Sequence, residues 1–229
     1  MDNPFDFFKK IFYINLESRI DRKIDIEEQF SLYGIKAERF RAITLTEQEN
    51  LSLVKDGCNA YHDDRPKYAR FTKSCTLSHI NVILRAKIMG YENVLVFEDD
   101  VVFHTGILKE LNHALNDLKK FDWNMFYIGT NPLAYKKETE YIGKSLGSLT
   151  THAYAVNHTF YDTLLNINFK AFPFFDGYVA SLSEESQDNK IYMCLKNLAW
   201  QRKSFSNLED RVVDYKPSID GRYNSNMKL

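Results

Sequence analysis

A chain of 229 residues that is 44% hydrophobic and 14% aromatic can build one α/β domain with a full core, which excludes a disordered protein. Its 30 Lys and Arg against 31 Asp and Glu leave a net charge of −1, so there is no global basic field to hold a phosphate backbone, and nucleic acid is excluded as the expected partner. Cys58, Cys75 and Cys194 are odd in number and lack ligand spacing, which reads as reduced thiols rather than a disulfide framework or a zinc site.

The start Met1-Asp2-Asn3-Pro4 has no basic opening or apolar h-region, and no run reaches the ~18 apolar residues of a transmembrane segment. The expectation is a cytoplasmic protein, at most peripheral to a membrane. Ile11 to Leu16 reads as an interior first strand, and Glu17 to Tyr33 as a helix with Ile20, Ile24, Ile26, Phe30 and Tyr33 at mostly helical spacing and Gly34 as its stop. Lys36 to Ile43 suits a second strand, and the aperiodic polar stretch from Asp56 to Lys67 a surface loop. Leu77 to Met89 predicts an amphipathic helix opened by Thr72 or Ser74 and closed by Gly90.

Asn93 to Phe97 is nearly all apolar, as in a strand covered on both faces, and Val101 to Phe103 resumes that character. Ile107 to Leu118 predicts a helix, Asn124 to Gly129 a strand, and Thr150 to Asn157 another. This alternation implies a single domain over residues 1–229, α/β in class, with a mainly parallel central sheet and helices on both faces.

Between the two apolar runs stand Glu98, Asp99 and Asp100. Burying unpaired charge costs several kcal/mol, so a cation should neutralise them, and strand ends of this kind are where open α/β sheets bind ligands. The bland alternative is a solvated turn paired with Lys or Arg. A hard divalent cation bridging carboxylates to substrate phosphates fits better. Period-2 alternation sends Glu98 and Asp100 one way and Asp99 the other, making Asp100 and Glu98 the metal ligands and Asp99 the partner of a ribose or sugar hydroxyl.

Several islands in order carry a family resemblance. They are Phe12-Tyr13-Ile14-Asn15-Leu16-Glu17-Ser18-Arg19 with Asp21-Arg22, then Ser74-Cys75-Thr76-Leu77-Ser78-His79, then Val96-Phe97-Glu98-Asp99-Asp100. Asp122-Trp123, Tyr127-Ile128-Gly129, Thr151-His152-Ala153-Tyr154 and Phe175-Asp176 continue them. Over residues 11 to 180 the sequence resembles glycosyltransferase family 25, the lipopolysaccharide-type and procollagen-type galactosyltransferases; Lys73-Ser74 stand where that family usually carries Gly-Glu.

The resemblance implies a GT-A type, Rossmann-like fold and a hexosyltransferase. Such an enzyme takes galactose or glucose from a UDP-sugar, with Mn2+ or Mg2+, and transfers it with inversion. The acceptor is a hydroxyl of a glycan or of a hydroxylysine-type protein site. Asn15, Leu16, Arg19, Arg22, Ser78, Glu98 and Asp99 become donor-binding candidates, although a solvated helix face explains Arg19 and Arg22 equally well. Lys73 reads better as structural.

Inversion needs a base on the far face of the sugar, and Asp176 is the candidate, with Glu184, Glu185 and Asp188 as substitutes. Its alternative is the N-cap of a helix from Gly177 to Leu182. Ser78 and His79 are adjacent on a helix and do not form a nucleophilic pair; His79 and His152 read as donor-side, acceptor-side or core histidines. The segment from Gln201 through Tyr215, within a tail of about 200–229, resembles a lid over the nucleotide, with Asp214 or Asp220 as further metal ligands and 222–229 disordered without ligand. The competing readings are an inactive carbohydrate-binding protein of the same fold and a metal-dependent phosphoesterase.

Overall fold

The computed structural model describes residues 3–46, 48–49, 66–169, 171–172, 174–185, 188–206 and 211–213. In chain order they form β1 (Lys10–Asn15), α1 (Ile20–Tyr33), β2 (Ala37–Arg41), α2 (Pro66–Ile88), β3 (Asn93–Glu98), β4 (Val101–Phe103) and α3 (Ile107–Leu118). Then follow β5 (Met125–Pro132), β6 (Tyr135–Lys137), β7 (Ile142–Ser145), β8 (Ser148–Asn157), α4 (Tyr161–Leu165), α5 (Phe175–Glu185), β9 (Ile191–Cys194), β10 (Ala199–Gln201), β11 (Ser204–Ser206) and β12 (Arg211–Val213).

An 8-stranded sheet in the order β2-β1-β3-β8-β5-β9-β7-β6 is the frame. β1 pairs in parallel with β2 and β3, and β5 with β9, whereas β8 and β7 run against both of their neighbours. Six strands therefore point one way and only β8 and β7 the other, which is the largely co-directional sheet expected of the sequence.

Alternation along the strands feeds two cores. Ile11, Tyr13, Leu95, Phe97, Phe126 and Ile128 face one side, where Ile26 and Phe30 of α1 and Leu111 and Leu115 of α3 cover them. Phe12, Ile14, Val94, Val96, Met125 and Tyr127 face the other, against Ile80 and Ile83 of α2 and Val179 of α5. Both faces are covered, which is why the central strands read as continuous apolar runs.

Two boundaries differ from expectation. α1 starts at Ile20 rather than Glu17, and ends as predicted on Gly34, whose φ of 65° is the left-handed C-cap that glycine adopts without strain. α2 begins at Pro66, well before Thr72 or Ser74, the expected openers, taking in the end of the expected loop. Its opening turns carry little apolar periodicity, and proline is tolerated in a first helical turn, where its missing N–H costs no hydrogen bond. The rest of that loop, Cys58, Asp214, Asp220 and the stretch 222–229 lie outside the described residues. Among those described, no helix is long and apolar enough to cross a membrane.

Candidate functional site

The carboxyl ends of β1 and β3 lie side by side in the parallel ladder, with Ile14 opposite Glu98. A cavity of about 180 Å³ opens there, lined by Ile14, Leu16, Arg22, Ile43, Phe71, Ser78, His79, Glu98, Asp99, Asp100, Gln201 and Val213 among others. Its lining mixes apolar side chains with a few polar and acidic ones, the pattern of a ligand site with few, placed polar groups.

Alternation places Glu98 on the α2 side, as Val94 and Val96 are. Its Oε1 lies 3.4 Å from Nε2 of His79, long for a hydrogen bond, and its Oε2 accepts from Nε2 of Gln201 at 3.1 Å. Asp99 turns to the α1 side, accepting from Nδ2 of Asn15 at 2.7 Å and from Nη1 of Arg22 at 2.9 Å. Asp100 meets Glu98 on one side, as alternation expects, and also reaches the partner of Asp99. The strand ends at Glu98, so Asp100 shares Nη1 of Arg22 with Asp99, at 3.1 Å, while its second oxygen faces Nε2 of Gln201 at 3.5 Å. All three carboxylates thereby border one cavity.

The cation that neutralises them in the chain itself is Arg22. Nη2 of the same guanidinium donates to the Ser204 hydroxyl at 2.9 Å and to the Phe205 carbonyl at 2.8 Å, tying the β11–β12 hairpin to the cavity's edge. Burial and then the charge of Glu98 push Asp100 up to about 7, although Arg22 pulls it down. Burial also opposes the charge on Glu98, but its contact with His79 and the fields of His79, His152 and Arg22 hold it below the usual carboxylate range. Among the described residues that line the cavity, one guanidinium stands against three carboxylates, which leaves surplus negative charge.

His79, itself buried, is fixed from both sides: its Nδ1 lies 2.9 Å from the Tyr154 hydroxyl, and its ring stacks on Phe175 at 5.0 Å with a 6° interplanar angle. Ser78 is occupied structurally. Its hydroxyl donates to the Ser74 carbonyl at 2.7 Å and accepts the Ile43 N–H at 2.8 Å, pinning the segment after β2 to α2; Ser74 treats Leu45 N–H the same way at 3.1 Å. Arg19 stands outside the cavity lining, bonded to Asp21 and the Phe205 carbonyl, and Asn15 reaches the site through Asp99 rather than directly. Lys73 is buried on α2 and does not line the cavity.

Asp176 is also absent from that lining and is no N-cap, since it sits in the first turn of α5. One carboxylate oxygen accepts the Thr150 N–H at 3.1 Å and the other the Gly177 N–H at 2.8 Å. Burial raises its affinity for a proton. Thr150 has φ 66°, an outlier for a β-branched residue. His152 is a buried, hydrogen-bonded core residue, with Nε2–H donating to the Ala199 carbonyl at 2.9 Å and Nδ1 3.1 Å from the Thr150 hydroxyl. Glu184 and Asp188 are exposed.

Gln201 is the site residue that sequence reasoning passed over. β10 delivers it, paired with Val101 just beyond the acidic turn. Gly129 lets β10 come that close: a Cβ there would lie 2.0 Å from the Ala199 carbonyl oxygen and 2.8 Å from Nε2 of His152. The available signal was the position of Gln201 at the start of the tail segment that resembles a lid.

A two-faced α/β sheet with an acidic cavity at adjacent strand ends defines the class as a ligand-binding α/β domain with enzyme-like site chemistry. The family described as Glycosyltransferase family 25 (LPS biosynthesis protein) matches residues 8–183, and the chain belongs to that family. A glycosyltransferase 25 family member of Anopheles gambiae is 27% identical over 157 residues, covering 64% of this chain and 26% of that protein. One from Drosophila melanogaster is 29% identical over 140 residues, 57% of this chain and 22% of the relative. The human protein named inactive glycosyltransferase 25 family member 3 is 34% identical over 141 residues, 58% of this chain and 23% of the relative. The chain thus spans about a quarter of the length of these curated relatives. A solved glycosyltransferase involved in glycosylation of the major capsid of PBCV-1 aligns with 88% of this chain and 96% of its own, at 12% identity and a TM-score of 0.45.

Proposed function

We propose that the chain is a sugar-nucleotide-dependent hexosyltransferase, moving galactose or glucose from a UDP-sugar to a hydroxyl of a glycan or glycosylatable protein. The observation that carries this reading is the convergence of Glu98, Asp99 and Asp100 on one cavity with a single guanidinium between them. A diphosphate leaving group needs its growing charge neutralised. Among the described residues no group of three or more His, Cys, Asp and Glu side chains could hold a metal ion unaided. The surplus negative charge and hard oxygen donors nonetheless suit Mn2+ or Mg2+ at Glu98 and Asp100, with the remaining positions left to other oxygens. When bound, such an ion supplies Lewis-acid neutralisation of the diphosphate.

Arg22, whose two terminal nitrogens are now held by Asp99, Asp100, Ser204 and the Phe205 carbonyl, would meet phosphate oxygens from the same edge by exchanging some of these partners, a task its planar fork suits. Asn15 keeps Asp99 aimed through its hydrogen bond. Asp176 is the proposed base: its carboxylate is immobilised by two N–H groups, each oxygen retains a second lone pair for an acceptor hydroxyl, and burial raises its basicity.

UDP release from UDP-galactose and UDP-glucose, with and without Mn2+ and a hydroxyl acceptor, tests the reading. Metal-dependent UDP release that rises with acceptor is expected. Turnover of nitrophenyl phosphate instead would make the protein a phosphoesterase. A second reading, a binding protein without turnover, is favoured by the way Arg22 already pairs with two of the three carboxylates; tight UDP-sugar binding without UDP release would establish it.

A further inference from the structure

We propose that Gln201 is the neutral ligand that completes the cation site of Glu98 and Asp100, its side-chain amide turning end for end as a divalent ion enters. This rests on the reading of the acidic cavity as a donor site.

The geometry starts from the amide nitrogen. Nε2 of Gln201 is 3.1 Å from Glu98 Oε2 and 3.5 Å from Asp100 Oδ1, so it occupies the point that those two carboxylates share. Between two anions only the NH2 end of the amide is tolerable; the carbonyl end would add a third negative pole. A divalent ion at that point reverses the preference. The amide carbonyl is then a hard oxygen donor of the kind such ions accept from Asn and Gln, and the NH2 turns away. Rotation about χ3 alone accomplishes the exchange, and that torsion is broad and nearly two-fold.

The backbone need not move. β10 is held by its ladder with β4, by the approach of Ala199 to Gly129, and by the Nε2–H of His152 on the Ala199 carbonyl, so Gln201 arrives already positioned. A second observation points to a ligand at the same place. His79 is 1% exposed, lines the cavity, and its Nε2 has no hydrogen-bond partner within normal range although Glu98 Oε1 is 3.4 Å away. With Oε2 of Glu98 turned to a cation, Oε1 is the oxygen left for His79 Nε2–H, the histidine–carboxylate support common behind metal ligands.

The test titrates Mn2+ into the full chain without any sugar nucleotide, following free Mn2+ by electron paramagnetic resonance. Wild type should bind. Gln201→Leu should raise Kd by about 10-fold or more, the scale of losing a supporting contact to a metal site. Gln201→Glu should lower Kd, and should lower Tm without Mn2+ because a fourth carboxylate joins the cluster, with Mn2+ restoring it. The glutamate variant keeps the proposal testable if the leucine variant fails to fold. Wild-type binding with unchanged Kd in both variants overturns the role of Gln201 and leaves the cation reading standing; absence of Mn2+ binding in wild type overturns the cation reading, and this proposal with it.

Discussion

Nη1 of Arg22 donates to Asp99 Oδ1 at 2.9 Å, joining α1 to the turn after β3, and the two side chains are only 10% and 9% exposed. Breaking a buried pair by removing one partner costs about 3–5 kcal/mol, because the surviving charge stays buried without compensation. Arg22→Met should therefore lower unfolding free energy by about that amount in urea titrations. Adding Asp99→Asn should recover part of the loss. An unchanged midpoint in Arg22→Met would show that the carboxylates are neutralised by something other than this guanidinium.

Asp99 and Asp100 should part company when truncated. Asp100 is the carboxylate that burial and Glu98 push up to about 7, so Asp100→Ala relieves repulsion and should leave the cation-free fold as stable or more so, while abolishing Mn2+-dependent nucleotide binding. Asp99→Ala removes the acceptor of both Asn15 and Arg22 and should cost about 1–3 kcal/mol. Thermal melts paired with isothermal titration of UDP and Mn2+ read both effects. Full metal-dependent binding in Asp100→Ala rules out the ligand assignment.

Ligand should stabilise the native chain by mass action. UDP with Mn2+ at a hundredfold excess over Kd contributes about 2.7 kcal/mol, which for a domain of this size is a rise of roughly 5–10 °C in Tm. EDTA should abolish it. A transition unmoved by UDP, GDP and CMP at millimolar concentration contradicts the donor-site reading.

Gly129→Ala probes how the cavity is built. The added Cβ would meet the Ala199 carbonyl at 2.0 Å, and backbone cannot swing aside as a side chain can. The expected result is a loss of about 1–3 kcal/mol or more together with a shift of β10 that weakens Mn2+ binding through Gln201. Wild-type stability and wild-type Mn2+ affinity in this variant would disprove the close packing of β10.

What could be read from the sequence follows contact range. Val94 to Asp100 announced itself because an apolar run broken by three acids is a local anomaly with a local explanation. Strand alternation then placed Glu98 and Asp99 on opposite sides and Asp100 with Glu98, but did not foresee that Asp100, beyond the strand end, also reaches Arg22. The partners that complete the site are distant: Arg22 meets Asp99 across 77 positions and Gln201 meets Glu98 across 103. No periodicity encodes such pairs; only the order of family-like islands hinted at them. α2 shows the converse failure, since its first turns carry no apolar face to betray a helix. Gly129 was visible within a strand motif, but its reason, a carbonyl packed where a Cβ would be, exists only in three dimensions.

Asp176 poses the sharpest choice, because each of its oxygens already accepts a backbone N–H. An asparagine there has one acceptor oxygen and would set an NH2 against the N–H of Thr150 or Gly177, so Asp176→Asn should cost about 1–3 kcal/mol of stability whether or not the residue acts as a base. Lost turnover in that variant alone is therefore ambiguous. Thr150 separates the readings. Its φ of 66° strains a β-branched residue and depends on the Asp176 contact, whereas glycine adopts that conformation freely. If Asp176 deprotonates the acceptor, kcat in Thr150→Gly should remain near wild type, while Thr150→Gly with Asp176→Asn stays ~10²–10⁴-fold lower at unchanged UDP affinity, the scale of a missing general base. Removing the strain restores geometry but supplies no proton acceptor. Recovery of the double variant to the Thr150→Gly rate would instead reduce Asp176 to an anchor for the start of β8 and move the base to another carboxylate.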